Sequence, residues 1–219
     1  MTSLAFDIAH LLAGAMLVVS FVLLYQRRIF GVLNAYAVHS ILLALAAAWQ
    51  AHVQDAPHLY VTAAVALFFN GLLMPAVLHR IVQRLEIHRE IEAVVGVGLT
   101  MLVGVGLVAL AILVVIPVTA AAEIFARQGL AFALSVVLLG FLMMITRRNA
   151  ITQVVGFLSL ENGLILAAVG VKGMPLVVEI SIAFSALIAF IVFGVFFFRI
   201  RERFDTLDAE ALGRFRGER

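Results

Sequence analysis

The chain contains no cysteine. Disulfides, thiolate-bound zinc and cysteine-ligated iron–sulfur clusters are therefore excluded as properties of this polypeptide. Charge is scarce as well: Asp, Glu, Lys and Arg make up 13% of the 219 residues, and Lys172 is the only lysine. Hydrophobic residues reach 64%, and the mean hydropathy is +1.16. A water-soluble fold of this size cannot hide so much apolar surface, because a large part of any folded chain stays at the boundary with solvent. Lipid is the solvent that resolves the conflict.

Crossing a hydrocarbon core of about 30 Å takes about 20 apolar residues in helical form. Seven such runs are present, near residues 4–24, 30–51, 59–78, 93–116, 129–146, 151–171 and 176–198. They are apolar on all faces and lack period-two alternation, which predicts helices rather than barrel strands. No basic residue precedes the first run, and Asp7 stands where the positive region of a signal peptide would be, so this run is expected to be a retained span. The expected fold is an all-α integral membrane protein of seven transmembrane helices. A seven-helix retinal protein would need a lysine inside its last helix, whereas Lys172 lies in the connection before it. A bis-histidine haem needs two histidines at matching depth. His39 is near mid-run, His10 is nearer one end of its run, and His52, His58, His79 and His88 lie at or beyond run ends.

The basic residues are strongly biased. Arg27 and Arg28 follow the first run, Arg80, Arg84 and Arg89 the third, and Arg147 and Arg148 the fifth; Arg199, Arg201, Arg203, Arg214, Arg216 and Arg219 follow the seventh. Alternate connections hold only Arg127 and Lys172. The bias predicts an outside N-terminus and a cytoplasmic C-terminus. Residues 1–198 are then a membrane domain and residues 199–219 a basic cytoplasmic tail. Aligning Arg27-Arg28 with Arg147-Arg148 pairs Phe21 with Phe141 and Ser20 with Gly140. It also sets the couple His39-Ser40 near Glu161-Asn162 in the following helices. Spans 1–3 and 5–7 are thus readable as parallel repeats joined by span 4, although any two apolar spans ending in a basic pair share part of this pattern.

Glu161 is the residue that fits lipid least. It lies at the centre of the sixth run, about 15 Å from either end at 1.5 Å per residue, where a carboxylate costs about 2.5–3.5 kcal/mol on insertion scales. Two readings stand: a proton carrier, or an acid that only fixes helix packing. Glu179 follows Pro175 by one turn, and its readings are proton entry or exit and ordinary stabilisation of a helix N-terminus. His39 is readable as a proton relay or as a hydrogen-bonded structural histidine. Asn70-Gly71 with Pro75 weakens the third helix locally, since proline frees a carbonyl that Asn70 could satisfy unless it lines a wet cavity. Small residues at i, i+4 in span 4 (Gly96, Thr100, Gly104) and span 7 (Ser181, Ser185, Ala189) predict close helix packing. The tail is expected to contact anionic lipid.

Three stretches are specific: R-R-N-A-I-T-Q-V-V-G-F-L-S-L-E-N-G at 147–163, M-P-L-V-V-E-I at 174–180, and T-L-D at 206–208. Together they resemble component E of hydrogenase-4, a membrane subunit of energy-converting hydrogenase and formate hydrogenlyase-type complexes. The resemblance covers residues 140–212 and runs colinear over the rest. The final three spans, with residues 151–198 at their heart, are similar to subunit K of NADH-quinone oxidoreductase. That family's G-x-E-x-x-x-N falls on Gly156 to Asn162; the glycine and asparagine match, but Leu158 occupies the glutamate position and Glu161 lies one turn further on. A shift of three residues keeps roughly the same helix face. Relatives often carry a lysine where this chain has Asn70 and an aspartate where it has Ser185. Their joint loss is charge-balanced, and is readable as a facing pair in relatives or as a weakened proton route here.

The resemblance implies a non-catalytic membrane subunit of a complex I-like redox complex in the inner membrane of a bacterium. It would bind no cofactor itself, while peripheral partners carry iron–sulfur clusters and nickel–iron or related centres. Antiporter-like and quinone-chamber-like membrane subunits would flank it, and nothing points to nucleic acid. The residues expected to serve proton translocation are Glu161, Glu179 and His39, supported by Asn162, Asn70 and Ser185. The rival readings are a structural scaffold subunit and a stand-alone transporter, the latter opposed by how few polar groups the spans hold.

Overall fold

In hydrocarbon, a backbone must satisfy its own hydrogen bonds, and a helix does so within one segment. The computed structural model describes residues 3–84, 96–119 and 124–170, and among these there is no strand. The elements are α1 (Ser3–Tyr25), α2 (Ile29–Gln54), α3 (His58–Val65), a π-helix (Ala66–Leu73), α4 (Met74–Arg84), α5 (Val97–Val118), α6 (Ile124–Thr146) and α7 (Ala150–Gly170). Elements α3, π and α4 run on without a break as one rod, so the described residues supply six helices long and apolar enough to cross a membrane. Each matches one of the first six apolar runs. The third extends past residue 78 to Gln83. The seventh run, Glu179, Ser185 and the tail lie outside the described residues, as does most of the charged stretch after the third span.

Short connections make neighbours of successive helices. The link from α2 to α3 is a reversal at Asp55, which has φ 51° and donates its backbone N–H to the carbonyl of Ala51. Aspartate tolerates this left-handed geometry better than most residues, and the bond satisfies one of the carbonyls a helix end leaves open. At the start of α7, Asn149 accepts the Ile151 N–H on its Oδ1 at 2.9 Å, and the Thr152 hydroxyl donates to the Asn149 carbonyl at 2.8 Å. That is N-terminal capping by a side chain that offers an acceptor to an orphan donor.

Helix α2 packs against α1, α7 and every part of the third rod, while α6 packs against α5, α7 and α1. The closest pair is α6 with α7, and glycine is the reason. A Cβ on Gly140 would come within 2.6 Å of the Leu160 backbone nitrogen and 2.8 Å of the Gly156 carbonyl oxygen. One on Gly163 would meet the Val137 nitrogen at 2.9 Å. The two backbones touch directly, as small residues permit between membrane helices. In α5, by contrast, Gly104 meets Phe21 and Leu139, but Gly96, Gly98 and Gly106 face open space. The small-residue pattern expected to pack span 4 is therefore only partly used.

The π-helix has a local cause. Pro75 cannot donate a backbone N–H, and in a regular α-helix its ring would press on the carbonyl four residues back, at Gly71. Widening the preceding turn relieves that clash, and the Met74 N–H bonds to the Phe69 carbonyl across five residues. Asn70 and Gly71 sit inside the widened turn, and both are buried.

Candidate functional site

The face of α2 turned toward the bundle carries Tyr36, His39, Ser40 and Leu43 at the spacing of one helix face. All four are essentially inaccessible. Facing them, α7 presents Thr152, Ser159, Glu161 and Asn162, also buried. From the third rod, the π turn brings Asn70; from α1 comes Ser20. Polar groups so far from water must bond to one another.

Asn70, Asn162, Ser40, His39 and Ser20 do so in a chain that crosses four helices. The Asn70 Nδ2 donates to the Asn162 Oδ1 at 3.0 Å. The Asn162 Nδ2 lies 2.9 Å from the Ser40 Oγ and 3.1 Å from the His39 Nδ1. On the far side of the ring, the His39 Nε2 is 3.1 Å from the Ser20 Oγ, and the Ser20 hydroxyl donates to the Met16 carbonyl at 3.0 Å. An amide nitrogen can only donate, so the His39 Nδ1 must be the acceptor. The Ser20 hydrogen is committed to Met16, so the Ser20 Oγ accepts, and the His39 Nε2 carries the hydrogen. His39 is thereby held neutral in one tautomer. Every hydrogen along the path points the same way, from the π turn through α7 and α2 to α1, an alignment in which each bond polarises the next.

Glu161 sits beside Asn162 on α7 and is 1% exposed. Tyr36, one turn before Ser40 and fully buried, lies within electrostatic reach of the Glu161 carboxyl. The structure thus brings together Glu161, His39, Asn162 and Asn70, all four of which the sequence points to. Glu179 and Ser185 lie outside the described residues. Leu158, which occupies the subunit K glutamate position, is also fully buried. Glu161, one turn further on, is buried as well. Tyr36 and Ser20 are the residues of this site that do not stand out as candidates in the sequence. The helical spacing of Tyr36, His39 and Ser40 is a signal that could have found the first. Nothing in the sequence links Ser20 to His39, because that bond spans two helices.

Among the described residues, no group of three His, Cys, Asp or Glu side chains could hold a metal ion. His10 lies away from His39, with its ring stacked on Phe6 at 4.1 Å between centroids.

A second buried polar group lies just beyond the end of α6. Arg147, 3% exposed, donates from one guanidinium nitrogen to the carbonyls of Leu24 and of Gln26, the latter at 2.9 Å, with Leu23 at 3.4 Å. These are the open carbonyls at the C-terminus of α1, where a cation is favoured by both hydrogen bonding and the helix dipole. The Gln153 side chain in turn donates to the Arg147 carbonyl at 2.8 Å. Burial, and then the neighbouring charge of Arg27, lower the affinity of this guanidinium for its proton. In the sequence Arg147 is one more basic residue at a span end; in the fold it caps another helix.

Hydrogenase-4 component E of Escherichia coli K12 is 29% identical over 212 residues, covering 96% of this chain and 98% of the relative. The chain is similar to hydrogenase-4 component E over nearly its whole length. The same identity and coverage hold for component E of Shigella flexneri. An uncharacterized protein of Mycobacterium tuberculosis, Rv0085, is 28% identical over 207 residues, or 93% of this chain and 94% of that one. No family model matches the chain, and no solved structure does. The similarity runs nearly end to end, so it covers all four helices that build the polar path.

Proposed function

We propose that this chain is a membrane subunit of a complex I-like, energy-converting hydrogenase-type redox complex, and that it contributes to proton translocation coupled to electron transfer. The observation that carries this reading is the unbroken line of buried hydrogen bonds from Asn70 through Asn162 and His39 to Ser20, with Glu161 alongside. Polar groups at such depth are costly and are kept where ions or protons move. In this reading Glu161 is the group that takes up and releases a proton, His39 and Asn162 relay hydrogen-bond polarity, and Glu179 lies on the same route.

The subunit would sit in the inner membrane of a bacterium with seven spans, its N-terminus outside and its C-terminus in the cytoplasm. The arginine bias supports that orientation. The packing of α1 on α6 and of α2 on α7 is compatible with a parallel repeat of spans 1–3 and 5–7. Antiporter-like and quinone-chamber-like membrane subunits would be its neighbours, with iron–sulfur and nickel–iron or related centres held in peripheral subunits, as in formate hydrogenlyase-type assemblies.

The test is a Glu161→Gln variant of the whole complex in sealed vesicles. It should assemble and keep redox turnover, while protons moved per electron fall at least severalfold. An unchanged ratio would remove Glu161 from the route. A scaffold reading has one observation in its favour: a network that ties together four helices would fix their packing whatever else it did. If Glu161→Gln leaves the ratio intact but Asn162→Leu prevents assembly, the scaffold reading prevails.

A further inference from the structure

The hydrogen bonds linking Asn70, Asn162 and His39 can be made in either of two directions, according to whether the His39 Nδ1 bears hydrogen. We propose that the side-chain amides of Asn162 and Asn70 form a two-position switch coupled to which nitrogen of His39 bears hydrogen. As found, Asn162 turns its Nδ2 toward His39 and Ser40 and its Oδ1 toward Asn70. A hydrogen on the His39 Nδ1 would face the amide hydrogens of Asn162 at a heavy-atom distance of 3.1 Å. Two donors so close oppose each other, and a buried hydrogen left without an acceptor costs about 1–3 kcal/mol. The conflict disappears only if the Asn162 amide reverses. Its Oδ1 then accepts from the His39 Nδ1 and from the Ser40 hydroxyl, while its Nδ2 faces Asn70, which must reverse in turn to offer its own Oδ1.

The reversed path keeps every hydrogen bond among Asn70, Asn162, Ser40, His39 and Ser20, and gives up only the Ser20–Met16 bond when Nε2 carries no hydrogen. Ser20 completes it in either state: it accepts from Nε2–H when that hydrogen is present, and it turns its hydroxyl from Met16 to Nε2 when it is absent. A second complete set of side-chain bonds among these residues is what makes the element bistable rather than merely rigid. Of the titratable groups near the ring, Tyr36 lies on its own helix and Glu161 on α7; α1 contributes Ser20 and the π turn Asn70. Asn70 rides on the widened turn forced by Pro75, so the last member of the switch is carried by the least regular backbone of the bundle. Asn162 and Asn70 act here as positioning residues. The coupling gains a purpose from the proton-route reading above, but its chemistry stands without it.

The measurement is nitrogen-15 magnetic resonance on the full-length chain in phospholipid vesicles, labelled at histidine and asparagine, with signals assigned by His39→Gln, Asn162→Leu and Asn70→Leu. Near neutral pH, His39 should show a bare Nδ1 and a hydrogen-bearing Nε2. On acidification, the Nδ1 should gain its hydrogen together with a change in both amide signals. Asn70→Leu, which touches none of the His39 contacts, should free Asn162 to take either orientation and so give both His39 tautomers. The proposal is overturned by a resting Nδ1–H form, by protonation without amide changes, by no change in ring or amides down to the pH of unfolding, or by one tautomer persisting in Asn70→Leu. Because no pumping is measured, loss of the proton-route reading through Glu161→Gln would leave this outcome separate.

Discussion

Helices α5 and α7 have 22 and 21 residues and meet opposite fates. The central stretch of α5 is the more apolar, yet only 22% of it is buried, against 50% for α7. In water the order would be reversed, since burial follows apolarity there. In lipid an exposed leucine costs nothing, and Leu99, Leu102, Val105 and Leu113 of α5 all face outward. What must be enclosed is the polar group. Helix α7 carries Glu161 and Asn162 and lies between α6 and α2; α5 carries Thr100, which turns its hydroxyl back to the Gly96 carbonyl at 3.2 Å and needs no neighbour. Polarity, and the closeness of backbones, decide which helix goes inside.

The sharpest way to break this contrast is at the glycines of the α6–α7 contact. Gly140→Ala would set a methyl group 2.6 Å from a backbone nitrogen that cannot yield. Overpacking against a side chain costs about 1–3 kcal/mol and more where the obstacle is backbone. The expected result is a fall in melting temperature in detergent of roughly 10 °C, at roughly 2–4 °C per kcal/mol for a chain of this size, or loss of the folded peak altogether. A variant as stable as the parent would mean that α6 and α7 are not packed backbone to backbone.

Next comes the buried guanidinium. Arg147→Leu removes bonds from a charged donor to the end of α1, with an expected loss of about 1.5–3 kcal/mol. Arg147→Lys should recover only part of it, because the lysine ammonium ends one bond nearer the backbone than the guanidinium nitrogen that reaches these carbonyls. The same change at exposed Arg27, the other half of the proposed repeat, should stay within about 0.5 kcal/mol. Equal effects at both arginines would show that Arg147 acts only as a charge near the membrane surface. Thermal melting of the three variants side by side decides it.

Asn162→Leu is expected to rank third, at about 1–2 kcal/mol. Leucine keeps much of the volume, but Asn70 and Ser40 lose their partner; hydrogen bonds between membrane helices average only about 0.6 kcal/mol, with a maximum near 1.7. Melting checks the magnitude. A loss larger than that of Gly140→Ala would invert the ranking and make the polar path, rather than glycine packing, the main tie of α7 to the bundle.

How much of this was legible in advance follows from the same physics. Six spans could be read to within a few residues, because a helix that must cross hydrocarbon announces itself by length and composition alone. Glu161, Asn162, His39 and Asn70 stood out because each is expensive in lipid wherever it points. Their convergence was not legible. Helices that are apolar all round carry no period to say which face turns inward, so the meeting of His39 with Asn162, 123 residues away, had no local signal. Gly140 and Gly106 look alike in sequence for the same reason, although one touches backbone and the other touches nothing. Arg147 and Arg27 likewise share a basic pair and a span end, and only the position of a neighbouring helix terminus separates them.

Gly106 supplies the smallest effect and the cleanest control. It lies on the exposed face of α5, and a Cβ there would meet nothing within 4 Å. Replacing it with alanine removes the conformational freedom that makes glycine unfavourable in a helix by roughly 0.5–1 kcal/mol. Gly106→Ala should therefore be neutral or raise the melting temperature by a few degrees, the opposite sign to Gly140→Ala for the identical change of one hydrogen to a methyl. In the isolated chain that difference of sign measures the contrast between the two helices directly. In the whole complex it does more: if Gly106→Ala is neutral in the isolated chain but weakens assembly, the outer face of α5 meets another subunit rather than lipid, and the low burial of α5 reflects a missing neighbour.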